Sequence, residues 1–239
     1  MNRSSRLFRS LRAVVAVCAL AAGLGAVSGQ AGAAEPESGF EACPRLPAGA
    51  DPAAWRCEVM SATGHLSIGR FDEPIAVPIT VTFAEGRMNG EFHQVFGELT
   101  ASPIRAGRTP LTLTPVYAGY SDFLSTDERR GELDLGFKLS GPALPPGCAI
   151  GSDADPVHLV LKDTEPTKVI SEKPLIVTFG ARDIAFTAPR TSGCGRLGPA
   201  LDKVLGLPSP SGSNAIDLDA TVALRSYREL PHLADAAAR

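Results

Sequence analysis

The sequence predicts an all-β domain, an antiparallel β-sandwich, with a barrel as the alternative architecture. Three observations carry that expectation. Apolar residues recur with a period of two from Val77 to Leu224, turn-forming clusters interrupt them at the spacing an antiparallel domain needs, and 24 glycines with 20 prolines supply a loop-rich design.

Ahead of the domain, Arg3, Arg6, Arg9 and Arg12 form a basic segment, Ala13 to Val27 is apolar, and Ala31-Gly32-Ala33 fits a small-residue cleavage rule. This predicts a cleaved secretory signal over residues 1–34, because the apolar run is shorter than the roughly 20 residues that span a bilayer. The mature chain is then a secreted, extracellular protein without a transmembrane anchor. Residues 35–42 form a Glu/Pro/Ser linker, and 43–239 form a single β-rich domain. From Cys43 to Cys57, Pro44, Pro47 and Pro52 predict an irregular cap.

The strands follow. Val77, Ile79, Val81 and Phe83 alternate with Pro78, Thr80 and Thr82, as on a strand with one buried face. Leu111 and Leu113 make a second. Leu133, Leu135, Phe137 and Leu139, alternating with Glu132, Asp134, Gly136 and Lys138, make a third. Val157, Leu159 and Leu161 form another, and Leu175 to Phe179 with Ile184 to Phe186 read as a hairpin across Gly180. Ile216, Leu218, Ala220, Val222 and Leu224 form the last. The one helical segment is Pro199 to Leu205, with Leu201, Val204 and Leu205 on one face, Pro199 in its first turn and Gly206 as its stop.

Cys18 leaves with the signal, and the remaining Cys43, Cys57, Cys148 and Cys194 predict two disulfides in an oxidising compartment. The pairing Cys43–Cys57 and Cys148–Cys194 closes modest loops with turn-forming residues at their ends, worth roughly 3 and 4 kcal/mol on a chain-entropy basis. No short C-x-x-C spacing suggests zinc. Removing the four leader arginines takes 23 basic residues to 19 against 26 acidic ones, a net charge of −7, which argues against nucleic acid as a partner.

Few residues suggest chemistry. No metalloprotease, phosphate-loop or dinucleotide motif occurs, so neither a metal nor another cofactor is expected. Gly64-His65-Leu66-Ser67-Ile68-Gly69 lacks the spacing of an esterase elbow and reads as a strand with Ser67 and His65 facing solvent. Ser152, Asp155 and His158 are the candidate catalytic set, because a serine needs an imidazole to take its proton and a carboxylate to orient the imidazole. The alternative is a turn in which Ser152 and Asp155 bond local backbone. Asp153 and Asp155 could offer oxygens to calcium, whereas Asp217 and Asp219 read as the solvated face of a strand. Tyr117, Tyr120 and Phe123 lie where the strand pattern breaks, and suit either a ligand groove or packing at the core edge.

Several stretches together resemble a group of small exported actinobacterial proteins, some of which carry the label cholesterol esterase. They are Cys43-Pro44, Asp51-Pro52-Ala53-Ala54-Trp55-Arg56-Cys57-Glu58, Gln94-Val95-Phe96-Gly97, Gly119-Tyr120-Ser121-Asp122-Phe123, Cys148-Ala149-Ile150-Gly151-Ser152, Ser192-Gly193-Cys194-Gly195 and Gly206-Leu207-Pro208-Ser209. The resemblance implies a secreted hydrolase of lipid esters, with a sterol ester as substrate, but it carries no catalytic motif onto particular positions. The other functional class open to such a domain is a non-catalytic β-sandwich that binds a lipid, a carbohydrate or a surface protein.

The secreted chain is expected to begin at Ala34 or Glu35 and to contain no free thiol; intact mass and thiol titration check both, and a peptide joining Cys57 to Cys148 would refute the pairing.

Overall fold

A strand with one apolar face must bury it against a second layer. The computed structural model, which describes residues 39–230 and Leu233, has two such layers built from eleven strands. The signal over 1–34 and the start of the linker lie outside the described residues.

The larger layer runs β8-β9-β11-β1-β2-β3, with β1 Trp55–Ile68, β2 Phe71–Met88, β3 Glu91–Thr100, β8 Val157–Glu172, β9 Leu175–Asp183 and β11 Asn214–Ser226. The smaller is built on β6 (Gly131–Ser140), which pairs with β5 (Thr112–Asp122) on one edge and with β7 (Ala149–Ile150) and the start of β8 on the other. Short strands β4 (Ile104–Arg105) and β10 (Thr191–Ser192) extend it beyond β5 and β7. All pairings are antiparallel, and the sheet is open, which sets the barrel aside.

Between the layers lies the main core. Leu133, Leu135, Phe137 and Leu139 of β6 meet Leu66, Ile75, Val81 and Ile216 of the larger layer, as period two requires. A second apolar cluster covers the outer face of the larger layer: Phe40, Cys43, Leu46, Trp55, Cys57, Val59, Ala84, Ala223 and Tyr227. Phe40–Ala42 form a 3-10 turn with Phe40 buried, so the cap begins inside the segment whose composition reads as linker. Cys43–Cys57 and Cys148–Cys194 are both bonded, the expected pairing. The Tyr227 hydroxyl donates to the Pro44 carbonyl at 2.6 Å, tying the chain's last described turn to the first disulfide.

Three local expectations fail for identifiable reasons. Gly180 is no turn: β9 runs through it, paired with Asp219 and Glu165, and the hairpin forms instead between β8 and β9. A Cβ at Gly180 would stand 2.4 Å from the Thr164 hydroxyl, so glycine answers a close approach. Val77 is exposed because the register between β1 and β2 slips after Ala62, leaving residues 76–78 in a bulge with Pro78. The helix α1 (Gly198–Leu205) ends at Gly206 as expected, but it buries Gly198, Asp202 and Leu205 and exposes Val204. Asp202 is buried because its carboxylate accepts from the Thr191 N–H and hydroxyl, both at 2.8 Å.

β8 changes layers near Leu161. Up to Leu161 it pairs with β6, and from Lys162 onward with β9. At this transfer the buried Asp183 accepts from Val160 N and Ala185 N, each at 2.7 Å. Asp183→Ala is expected to cost about 2–4 kcal/mol in denaturant unfolding, since buried N–H groups lose a charged acceptor, with Asp183→Asn costing less. A change below about 0.5 kcal/mol would remove this role for Asp183.

Candidate functional site

The larger layer overruns the smaller one. β1 and β2 have 14 and 18 residues against 10 in β6, so one end of their inner face extends beyond the partner sheet. There the inner side chains of β11 (Leu218, Ala220, Val222, Leu224) and β9 (Leu175, Val177, Phe179, Ala181) line a cavity of about 500 Å³ with Met60, Phe83, Phe92 and Leu161. Phe123, Leu124 and Ser125, after β5, complete its wall. The cavity shares Arg56, Glu85, Phe92, Leu175 and Leu224 with a wider groove bordered by Trp55, Lys173 and Pro174.

One stretch of this apolar wall is charged. On β1, Arg56 and Glu58 share a face with Met60; on β2, Glu85 follows Phe83 on the inner face. Arg56 Nε donates to Glu58 Oε1 at 2.7 Å, and Arg56 Nη2 donates to Glu85 Oε1. Gln94 of β3 donates from Nε2 to Glu85 Oε2 at 3.1 Å, and its Oε1 accepts from Phe123 N at 2.9 Å. Both glutamate side chains are about nine-tenths buried (11% exposed), whereas that of Arg56 is 53% exposed. Glu58 Oε2 receives no hydrogen bond among the described residues. Burial, and next the Glu85 carboxylate beside it, push the Glu58 carboxyl up to about 7, against the opposing pull of Arg56.

The aromatic trio separates. Phe123 packs on Phe83, ring centroids 4.5 Å apart, and lines the cavity. Tyr117 instead stacks on Phe96 at 3.7 Å, bridging the open side of the sandwich, and exposed Tyr120 donates to Glu132 at 3.1 Å. The register of β5 and β6 slips between Tyr117 and Ser121, at the break in the sequence pattern.

Ser152, Asp155 and His158 engage different partners. The Ser152 hydroxyl accepts from Asp155 N at 3.2 Å inside a local turn. His158 lies on the outer face of β8 opposite Asp134, with Nδ1 and Asp134 Oδ1 2.6 Å apart. No hydrogen bond joins Ser152 to His158 among the described residues. His65 and Ser67 both bond Asp72, the carboxylate standing between imidazole and hydroxyl, so the relay order of a serine nucleophile is absent there. Among the described residues no group of three His, Cys, Asp or Glu side chains is placed to hold a metal ion, Asp153 and Asp155 included. No helix among them is long and apolar enough to cross a membrane.

Comparison of the chain with protein-family models, with curated proteins and with solved structures finds no match to any of them.

The raised Glu58 carboxyl makes stability depend on pH with a definite sign. Between about 4.5 and about 7 the native state keeps a proton that the unfolded chain has released, so Glu58's contribution falls as pH rises through that window and is level above it. Glu58→Gln keeps an acceptor for Arg56 and removes this dependence. Denaturant unfolding should therefore find the variant gaining stability relative to wild type as pH rises through that window; a pH-independent difference would refute the shift.

Proposed function

We propose that this is an extracellular protein whose inter-layer cavity binds an amphipathic lipid-like ligand. The observation that carries the reading is the apolar inner face at the overrun end of the larger layer. Leu175 and Phe92 remain 39% and 37% exposed at its edge, although a sandwich ordinarily buries such side chains. A volume of about 500 Å³ lies within the range of small-molecule sites, and an apolar wall with a few convergent polar groups is their usual make-up. Two disulfides support the extracellular placement, together with the leader that the sequence predicts.

Hydrolysis of lipid esters, which the sequence resemblance implies, is the competing outcome. Binding is favoured because none of the described histidines, His65, His93 and His158, lines the cavity. Its one lining hydroxyl, Ser125, thus has no imidazole among its neighbours in the wall.

Titration of the disulfide-bonded protein with an environment-sensitive fluorescent lipid should saturate, and Ala220→Trp, which fills the cavity, should weaken binding about tenfold or more. Unaltered affinity in Ala220→Trp would refute the site. Release of fatty acid from cholesteryl or short-chain esters, lost in Ser152→Ala or His158→Ala, would establish the hydrolase instead.

A further inference from the structure

The polar end of the cavity constrains what the ligand's head can be. Two carboxylates, Glu58 and Glu85, share one guanidinium, so the ionised trio carries a net negative charge inside an apolar wall. The guanidinium is committed, Nε to Glu58 and Nη2 to Glu85. Both Glu85 oxygens are occupied, by Arg56 and by Gln94. Glu58 Oε2 accepts from no donor among the described residues, on a residue 9% exposed that lines the cavity and whose carboxyl stands within hydrogen-bonding reach of the Glu85 carboxyl. An acceptor without a donor that keeps some exposure at an apolar cavity favours a donor, and a negative environment favours a cation.

We propose that the cavity selects amphiphiles with a protonated amine head, which donates to Glu58 Oε2 while its apolar chain lies against β9 and β11. This rests on the cavity being the ligand site. Arg130, the other cation in the wall, is engaged by Asp163 at 2.6 Å and Thr167 at 2.8 Å, and lies over the Phe179 ring. Arg87, Lys173 and Arg225, which outnumber Glu172 and Glu229 by one charge, line the outer groove and not the cavity. An anionic head would meet two carboxylates around an already paired arginine. Ammonium binding requires ionised Glu58, so it strengthens as pH rises through about 7, where Glu58 loses its proton.

Isothermal titration with dodecylammonium, dodecanol and dodecanoate, below micelle formation, separates the possibilities. At about pH 8 the ammonium should bind about tenfold or more tighter than the alcohol, the size of a charge-assisted hydrogen bond, and the carboxylate weakest. That advantage should shrink at about pH 5.5, where Glu58 is protonated, and disappear in Glu58→Gln, with a cooperative denaturant-unfolding transition of the variant as the control for folding. Glu85→Gln should lower it less, since Glu85 already has two donors. If dodecanol or dodecanoate binds as tightly as the ammonium, or Glu58→Gln keeps the preference, the head-group assignment is overturned while the lipid site stands. If none of the three binds, the lipid site itself is overturned, and the assignment with it.

Discussion

The fold turns on β8, the strand that belongs to both layers. Its first residues hydrogen-bond to β6 and the remainder to β9, so the two sheets are one continuous ladder folded over a core. A strand that changes partners leaves backbone groups without a neighbour at the point of transfer, and in a buried corner each such group costs free energy. Asp183 takes up two of them, from Val160 and Ala185. Arg130 completes the corner: its N–H donates to the Leu161 carbonyl at 2.7 Å while its guanidinium holds Asp163 and Thr167. On the opposite side no ladder among the described residues closes the sandwich. β3 and β5 meet through side chains, the Phe96–Tyr117 stack and the Gln94 amide on Phe123, so the seam is held without being hydrogen-bonded shut.

This arrangement explains why a cavity exists. At about 3.3 Å per residue β2 reaches about 60 Å, against about 33 Å for β6, so the smaller layer cannot cover the whole inner face of the larger one. The core fills where the layers overlap. Beyond that, the outer face is closed by the disulfide-bound cap, with Trp55 and Tyr227 beneath it, while the inner face meets the segment after β5 and the very start of β6. Trp55 fits because residue 86 is glycine: a Cβ there would stand 2.5 Å from the indole ring. The cap thus fixes from outside the same end of β1 whose inner side carries Arg56 and Glu58.

How much of this is legible in the sequence depends on whether a strand has one buried face or two. β6 and β11 are readable because their polar residues alternate cleanly with apolar ones. The helix is readable from Pro199 and Gly206, and the disulfides from an even cysteine count. β1 is not, because its end is covered on both sides. Trp55, Cys57 and Val59 face the cap, which by alternation assigns Arg56 and Glu58 to solvent, yet Glu58 is buried against the cavity. Period-two patterning identifies the more apolar face and stays silent about a second layer over the other. Sequence pattern therefore points to Ser152, Asp155, His158 and the Tyr117/Tyr120/Phe123 cluster, of which Phe123 alone lines the cavity. A Glu inside a strand-length run beside a buried disulfide was the available signal, and only the cross-strand register with Phe83 and Arg225's neighbour Leu224 gives it meaning.

The Glu58–Arg56–Glu85 trio is poor as a device for stability. Removing two carboxylates from water costs several kcal/mol each, and one half-exposed guanidinium cannot repay both; apolar residues of similar volume would hold the sheet at least as well. Such groups persist where folding is not their task, and perturbed carboxyls in clefts are frequent at functional sites. Here the disfavoured charge lies in the apolar wall of the cavity, at a Glu58 carboxyl one of whose oxygens has no donor among the described residues. Three other buried polar side chains are fully engaged: Asp183 by two backbone amides, Asp202 by Thr191, and Asn214 by the Phe186 and Pro210 carbonyls. Those side chains complete the fold, whereas Glu58 keeps an oxygen without a donor among the described residues and lines the cavity that an apolar ligand would fill.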